Sequence, residues 1–324
     1  MELKGIHHVS ALTAKADENY HFYTNVLGLR LVKKSVSQED SSVYHLFYGD
    51  RKGSPGTELT FIEYPLAPQN DEGTNSISAI SLRVPNDQAL VYWKQRFEKL
   101  KIAHEEIKNR AGRSTLAFKD FEGQRLILVS DEKNEGVQGG IPWEKSSIPK
   151  EYGIIGLGPV KLTVRDAELT AGLLTDVMGF RKKGQYSSES GSQPDILVFE
   201  TGDGGTGAEI HLEKRTDLPL ERPGRGSVHH VAFRVETEDE LHEWTNRINV
   251  AKIENTGIID RFYFHSLYFR EPNGILFEIS NDGPGFEVDE HINHLGETLS
   301  LPPFLEPKRE QIEAKLKPLN TKAE

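Results

Sequence analysis

The chain has 324 residues, 36% of them hydrophobic and 27% charged, with a formal net charge of -11, which suits a soluble globular protein long enough for two domains. The acidic balance argues against nucleic acid or an anionic membrane surface as a partner, and no run of about 18 apolar residues suggests a membrane span. With no cysteine, disulfides, thiolate catalysis, zinc–thiolate sites and iron–sulfur clusters are all excluded, so any metal must be held by His, Asp or Glu.

The N-terminus runs directly into a strand-like segment, without the charged and apolar regions of a secretory signal. A cytoplasmic location is the simplest expectation. Along the chain a unit of strand, helix and three-strand meander repeats four times. The first opens at Gly5-Ile6-His7-His8-Val9, with a helix over 16–27 and strands over 29–36, 43–49 and 58–64. The second opens at 76–84, with a helix over 87–100 and a last strand at 125–129. The third opens at 158–164, with a helix over 168–178 and a closing strand at 208–212. The fourth runs from Ser227 through a helix over 238–248 to a hairpin of 265–270 and 275–280. Its turn, Glu271-Pro272-Asn273-Gly274, has proline to preset φ and glycine to tolerate positive φ.

The opening strands alternate polar or small with apolar residues, and the helices repeat apolar residues at spacings of three and four. The expected class is α+β, with four βαβββ modules grouped as an N-terminal domain (1–131), a linker (132–152), a C-terminal domain (153–283) and a tail (284–324) read as surface packing.

A His-His dipeptide opens two of these strands, in Gly5-Ile6-His7-His8-Val9-Ser10 and in Ser227-Val228-His229-His230-Val231-Ala232. Glu278 sits within the apolar strand Leu276-Phe277-Glu278-Ile279. Two imidazoles and one carboxylate converging in a core form the ligand set of a non-haem Fe(II) site with open coordination positions. A single histidine on a strand is more often a structural hydrogen-bonding group than a ligand. Glu278 is harder to dismiss, because a carboxylate between Phe277 and Ile279 is costly to desolvate without a cation or donor. His291-x-x-His294 has helical spacing but lies beyond the last module, and is read as a surface feature.

The repeat, with Phe22-Tyr23-Thr24-Asn25-Val26-Leu27-Gly28-Leu29 after its first strand and Val177-Met178-Gly179-Phe180 as a degenerate copy, resembles the vicinal-oxygen-chelate superfamily. More narrowly, Leu31-Val32-Lys33-Lys34, Tyr44-His45-Leu46-Phe47-Tyr48-Gly49-Asp50 and Gly53-Ser54-Pro55-Gly56-Thr57 resemble the MhqO-like ring-cleaving dioxygenases and the related hydroquinone dioxygenases. The resemblance implies that two modules form each open-barrel cup and that the first and last strands of each module supply metal ligands.

Aligned in this way, the modules place His8, Ala79, Pro159 and His230 at the first-strand position. Counting four residues from Gly56, Gly123, Gly207 and Gly274 gives Thr60, Ile127, His211 and Glu278 at the other. If modules one and four share a cup, the ligands are His8, His230 and Glu278. Sequential pairing would replace His8 by His211. The repeated His-His pattern and the hydroquinone-dioxygenase resemblance both favour His8.

By resemblance, His7, His229, Ser10, Arg261 and Tyr268 surround the metal. Tyr268 would donate to substrate oxygen, His229 would act as acid or base, and Arg261 would hold an anionic intermediate or orient a neighbour. One objection comes from strand geometry: adjacent side chains face opposite sides of a regular strand, so His7 and His8 share a cup only if the strand bulges.

The implied activity is ring cleavage of hydroquinone-type aromatics with O2, Fe(II) being the cofactor and Mn(II) compatible with the same ligands, in detoxification or aromatic catabolism. The partners would be a small aromatic and O2, and a homo-oligomer is compatible with the sequence. The competing readings are a catechol-type extradiol dioxygenase, a glyoxalase-like isomerase and a metal-free aromatic-binding protein. The isomerase is disfavoured by Thr60 at the fourth ligand position, although Glu58 lies on the same strand face.

Overall fold

The computed structural model describes residues 1–321, so the last three residues of the expected tail lie outside the described residues. Module one contains β1 (Ile6–Thr13), β2 (Arg30–Val36), β3 (Tyr44–Gly49) and β4 (Glu58–Glu63), with α1 (Ala16–His21) between its first two strands. Module two contains β5 (Ser76–Val84), α2 (Asp87–Leu100), β6 (Lys108–Arg110), β7 (Arg113–Lys119) and β8 (Arg125–Ser130). Module three contains β9 (Gly156–Val164), α3 (Ala167–Gly172), β10 (Arg181–Tyr186), β11 (Ile196–Glu200) and β12 (Glu209–Lys214). Module four contains β13 (Val228–Arg234), α4 (Glu238–Val250), β14 (Asn255–Asp260), β15 (His265–Arg270) and β16 (Leu276–Ser280). The tail adds α5 (Arg309–Glu313).

The helices expected over 16–27 and 168–178 each divide. α1 and α3 continue as π-helical turns at Phe22–Val26 and Leu173–Val177, where Leu27 N–H donates to the Phe22 carbonyl five residues back at 3.1 Å. Gly28 and Gly179 end these turns at φ +73°, a left-handed conformation that glycine adopts without a Cβ penalty. The longer helices end conventionally: Asn86 caps α2 and a Thr237–Glu240 capping box starts α4.

The strands form two eight-stranded sheets, ordered β14-β15-β16-β13-β1-β4-β3-β2 and β10-β11-β12-β9-β5-β8-β7-β6. Module one therefore joins module four, and module two joins module three. This is the α+β arrangement of four modules in two open cups, and its pairing is one-plus-four rather than sequential. Buried aliphatic and aromatic side chains from both sheets, among them Val9, Leu59, Trp93, Val160, Trp244 and Phe277, share one continuous core.

Strand register makes the four modules equivalent residue by residue. The parallel partners are Ser10↔Thr60, Ser81↔Ile127, Lys161↔His211 and Ala232↔Glu278. Each first member lies two residues after His8, Ala79, Pro159 or His230, so counting from the turn glycines selects structurally matching positions.

Candidate metal centre

Two bulges build the centre. In the antiparallel β1–β13 pair, Ile6 faces Phe233 but His8 faces Ala232, leaving His7 as an extra residue on β1. Further along, Ser10 faces His230 but Ala11 faces Val228, leaving His229 as an extra residue on β13. A bulge lets consecutive side chains leave the alternation of a regular strand. The rings of each pair consequently meet: His7 Nδ1 lies 2.9 Å from His8 Nδ1, and His229 Nδ1 lies 2.7 Å from His230 Nδ1.

These contacts set the direction in which His8 and His230 present their other nitrogens. His7 Nε2 is 3.0 Å from the Asn281 carbonyl and must donate to it. His7 Nδ1 is then an acceptor, His8 Nδ1 carries a proton, and His8 Nε2 presents a lone pair; this tautomer is assigned from the network. With His230 Nδ1 donating to His229 Nδ1 by analogy with the first pair, a lone pair is left on His230 Nε2.

The two Nε2 atoms and Glu278 Oε2 converge. His8 Nε2 lies 3.2 Å from His230 Nε2 and 3.2 Å from Glu278 Oε2, and His230 Nε2 lies 2.8 Å from Glu278 Oε2. Although the two contacts to the carboxylate are at hydrogen-bond distance, their angles are not those of a hydrogen bond, and the fully buried Glu278 Oε2 has no hydrogen-bond partner. Its other oxygen accepts from Ser280 Oγ at 2.7 Å.

Three lone pairs meeting without a proton to share are what a bound cation satisfies. Donor atoms on adjacent corners of an octahedron with bonds of about 2.1 Å would be about 3.0 Å apart, close to these spacings. The residues therefore fit a divalent metal.

The electrostatics agree with this fit. Burial alone would raise the Glu278 carboxyl; positive charge on the His8–His230 side of the site, whether protons on the two rings or a cation between them, holds it well below the usual carboxylate range. Burial lowers His230, an effect that Glu278 opposes. Burial and the neighbouring His8 push His7 down to about 3. Burial and His230 push His229 down to about 4, although its outer edge is solvent-exposed and water screens part of that shift.

The His7 shift carries a pH dependence for the metal-free protein. Between the unfolded value of 6.5 and the folded value of about 3, the unfolded chain binds a proton that the native state does not. Stability is therefore full above the unfolded value and falls on acidification, by about 1.4 kcal/mol per pH unit from this residue. Urea denaturation at about pH 7.5 and about pH 5 is expected to show a shallower pH slope in His7→Asn than in wild type. Identical slopes would refute the assignment.

The other expected residues assemble in the same cup. Ser10 Oγ is 2.7 Å from Thr60 Oγ1. Tyr268 is the strand partner of Glu278, with its ring 5.9 Å from that of His230. Arg261 Nε donates to the Tyr268 hydroxyl at 3.0 Å, and Arg261 pairs with Glu39 at 2.7 Å. His211 lies in the other cup, between Tyr186 and Glu209. His291 and His294 are exposed.

Glu58 does not join the trio. Its carboxylate lies within 4.8 Å of ligand atoms on His7 and His8, and burial pushes it well above the usual range.

Three features escaped the sequence reading. His45 Nε2 lies 3.0 Å from Thr60 Oγ1, which places this half-buried ring in the cup. Its partner Phe47 faces Thr60 across β3–β4, so period-two alternation could have found it. The Phe264 ring packs 5.2 Å from His7 and 5.1 Å from His8. The tail does more than cover a surface: Phe286 and Leu295 are buried with Val32, Phe47, Tyr263 and Phe264.

Comparison with known proteins gives this geometry a family. The profile for the Glyoxalase/Bleomycin resistance protein/Dioxygenase superfamily matches residues 5–128 and 156–279. The Bacillus subtilis (strain 168) protein named "Putative ring-cleaving dioxygenase MhqA" is 55% identical over 319 residues, 98% of this chain and 100% of that protein. The chlorohydroquinone/hydroquinone 1,2-dioxygenase of Sphingobium indicum is 28% identical, covering 96% of this chain and 95% of its own length. A crystal structure titled as a "putative dioxygenase" from Bacillus subtilis superposes with a TM-score of 0.90 at 33% identity, covering 100% of this chain and 99% of that one. The chain belongs to the Glyoxalase/Bleomycin resistance protein/Dioxygenase superfamily.

Proposed function

We propose that this protein is an oxidoreductase, a ring-cleaving dioxygenase that opens hydroquinone-type aromatics with O2 and places both oxygen atoms in the product. Its ligands are His8, His230 and Glu278, and its metal is Fe(II), with Mn(II) suiting the same donors. The observation that carries this reading is the convergence of three lone pairs at 2.8–3.2 Å beside a cup lined by hydroxyl and imidazole groups. Kinship with a protein named as a hydroquinone dioxygenase supports the substrate class. When bound, the metal supplies a point at which an aromatic hydroxyl and dioxygen meet in a fixed orientation.

The chain's own groups have separate tasks. The Tyr268 hydroxyl accepts from Arg261 Nε, so its own proton is free to donate to the substrate oxygen. The Arg261–Glu39 pair holds that guanidinium in place. His229 is neutral near pH 7 and open to solvent at its edge; with Nδ1 accepting from His230 its proton sits on Nε2, so it can donate from Nε2 to an oxygen bound in the cup. Phe264, Phe47 and Tyr263 keep the cup apolar around these groups. His45, anchored on Thr60, is the polar group we assign to the second hydroxyl of a para-diphenol, which must lie across the ring from the first.

The test is oxygen uptake by full-length protein loaded with Fe(II) under anaerobic conditions, with methylhydroquinone and catechol compared. Uptake is expected with methylhydroquinone, with His45→Ala raising KM by about tenfold through loss of one hydrogen bond. Uptake with catechol alone would replace this reading by extradiol cleavage. No uptake with either, despite bound iron, would leave an isomerase or a binding protein.

A further inference from the structure

The second cup, built by modules two and three, repeats the architecture of the metal centre without its ligands. The β5–β9 register breaks between Ile77 and Ala79 and again between Ile80 and Leu82, so the bulges are retained. Ser78 and Ala79 occupy the positions of His7 and His8, and Ile127 that of Thr60. At the position of Glu278, both nitrogens of His211 are engaged, Nδ1 with the Tyr186 hydroxyl at 3.0 Å and Nε2 with Glu209 at 3.1 Å. Glu209 in turn is held by both terminal nitrogens of Arg113 at 2.8 Å. These groups satisfy one another, and among the described residues no ligand trio forms in this cup.

What remains is a cavity of about 640 Å³, within the size range of small-molecule sites. Ala79, Ala117 and Ile127 give it an apolar wall. Beside the wall, where Lys161 is the strand partner of Ala79, its Nζ contacts Glu213 at 2.8 Å, which spends one of the three donors of an ammonium. The lining carries five Lys/Arg and four Glu side chains, a local excess of positive charge in a chain whose net charge is -11.

We propose that this metal-free cup is a second small-molecule site that takes an aromatic carboxylate, its ring on the Ala79–Ala117–Ile127 wall and its carboxylate on Lys161. The site needs neither the metal nor the ring-cleaving activity. A flat ring suits a wall made of small and aliphatic side chains, and a carboxylate suits an ammonium with unspent donors. In the metal cup, the residue matching Lys161 is Ala232, which has no charge to offer such a ligand.

The experiment is calorimetric titration of the full-length protein with benzoate, with phenol as the uncharged comparison. One equivalent of benzoate is expected to bind wild type and His8→Ala with the same affinity. Lys161→Met is expected to weaken benzoate by about tenfold or more, as loss of a charged hydrogen bond implies, and phenol should bind wild type weaker by a similar factor. Ala79→Phe, which fills the wall, should remove binding, and Lys161→Met keeps the test decisive if that variant does not fold. Binding lost in His8→Ala would assign benzoate to the metal cup and overturn the proposal. Unchanged affinity in Lys161→Met, phenol binding as tightly as benzoate, or no binding at millimolar concentration would each overturn it too.

Discussion

His8→Ala, His230→Ala and Glu278→Gln are each expected to lower metal affinity by at least about 100-fold, the upper end of what outer-shell changes cost, and to abolish oxygen uptake. The His substitutions each remove one of three lone-pair donors that meet within 3.2 Å, and Glu278→Gln removes the negative charge of the third. His7→Ala acts one step removed. It deletes the acceptor that holds the His8 Nδ1 proton, so affinity should fall by about 10- to 100-fold while residual activity returns at saturating iron. His211→Ala should leave metal content and uptake unchanged, because that ring lies in the other cup against Tyr186 and Glu209. Metal titration of the five variants separates these outcomes. Loss of metal in His211→Ala with retention in His8→Ala would refute the ligand set.

The second large effect is expected away from the metal. The Lys33 ammonium is fully buried, 2.5 Å from Asp289, 2.6 Å from Glu290 and 3.1 Å from the Phe286 carbonyl, with the Tyr263 ring centre at 5.0 Å. Lys33 lies on β2 and both carboxylates belong to the tail, so this cluster pins the tail onto the metal cup. Lys33→Met would leave two adjacent carboxylates without their cation. Breaking a buried ion pair from one side typically costs about 3–5 kcal/mol.

The urea midpoint should fall accordingly, and limited proteolysis should cut the tail in Lys33→Met under conditions that leave wild type intact. Adding Asp289→Asn and Glu290→Gln should recover part of the loss, because the uncompensated charges are removed. A change below about 1 kcal/mol would place the cluster among surface ion pairs of little consequence. Because Phe286 packs with Phe47 and Tyr263, and Tyr263 also holds Asp289 through its hydroxyl at 3.0 Å, detaching the tail should also loosen the apolar side of the cup.

Much of this protein is legible in one dimension. Period-two alternation marks the strands, apolar spacing marks the helices, and four copies of one pattern define the modules. Those signals are local, since they depend on which face of an element is buried. Positions counted from the turn glycines also hold, because a strand entered from a tight turn has its register set by that turn. Gly56, Gly123 and Gly274 take φ of +89°, +85° and +93°, as such turns require. Gly207 keeps its place for another reason: a Cβ there would lie 3.0 Å from the Arg83 guanidinium. Glu278 announced itself by chemistry, as a carboxylate in an apolar strand with no neighbouring cation in sequence.

Other features depended on the assembled structure. Whether His8 or His211 joins His230 is a question of which modules share a sheet, and residues 222 apart in sequence carry no local sign of contact. The bulges at His7 and His229 answer the objection from strand alternation, yet a bulge is one extra residue in one strand of a pair and exists only once the partner strand is in place. The tautomers of His7 and His8 follow from a carbonyl 274 residues from His7. The buried place of Lys33 depends on tail carboxylates more than 250 positions away. Local side-chain patterns thus determined the elements and named the candidate ligands, whereas long-range strand pairing decided which of those ligands meet.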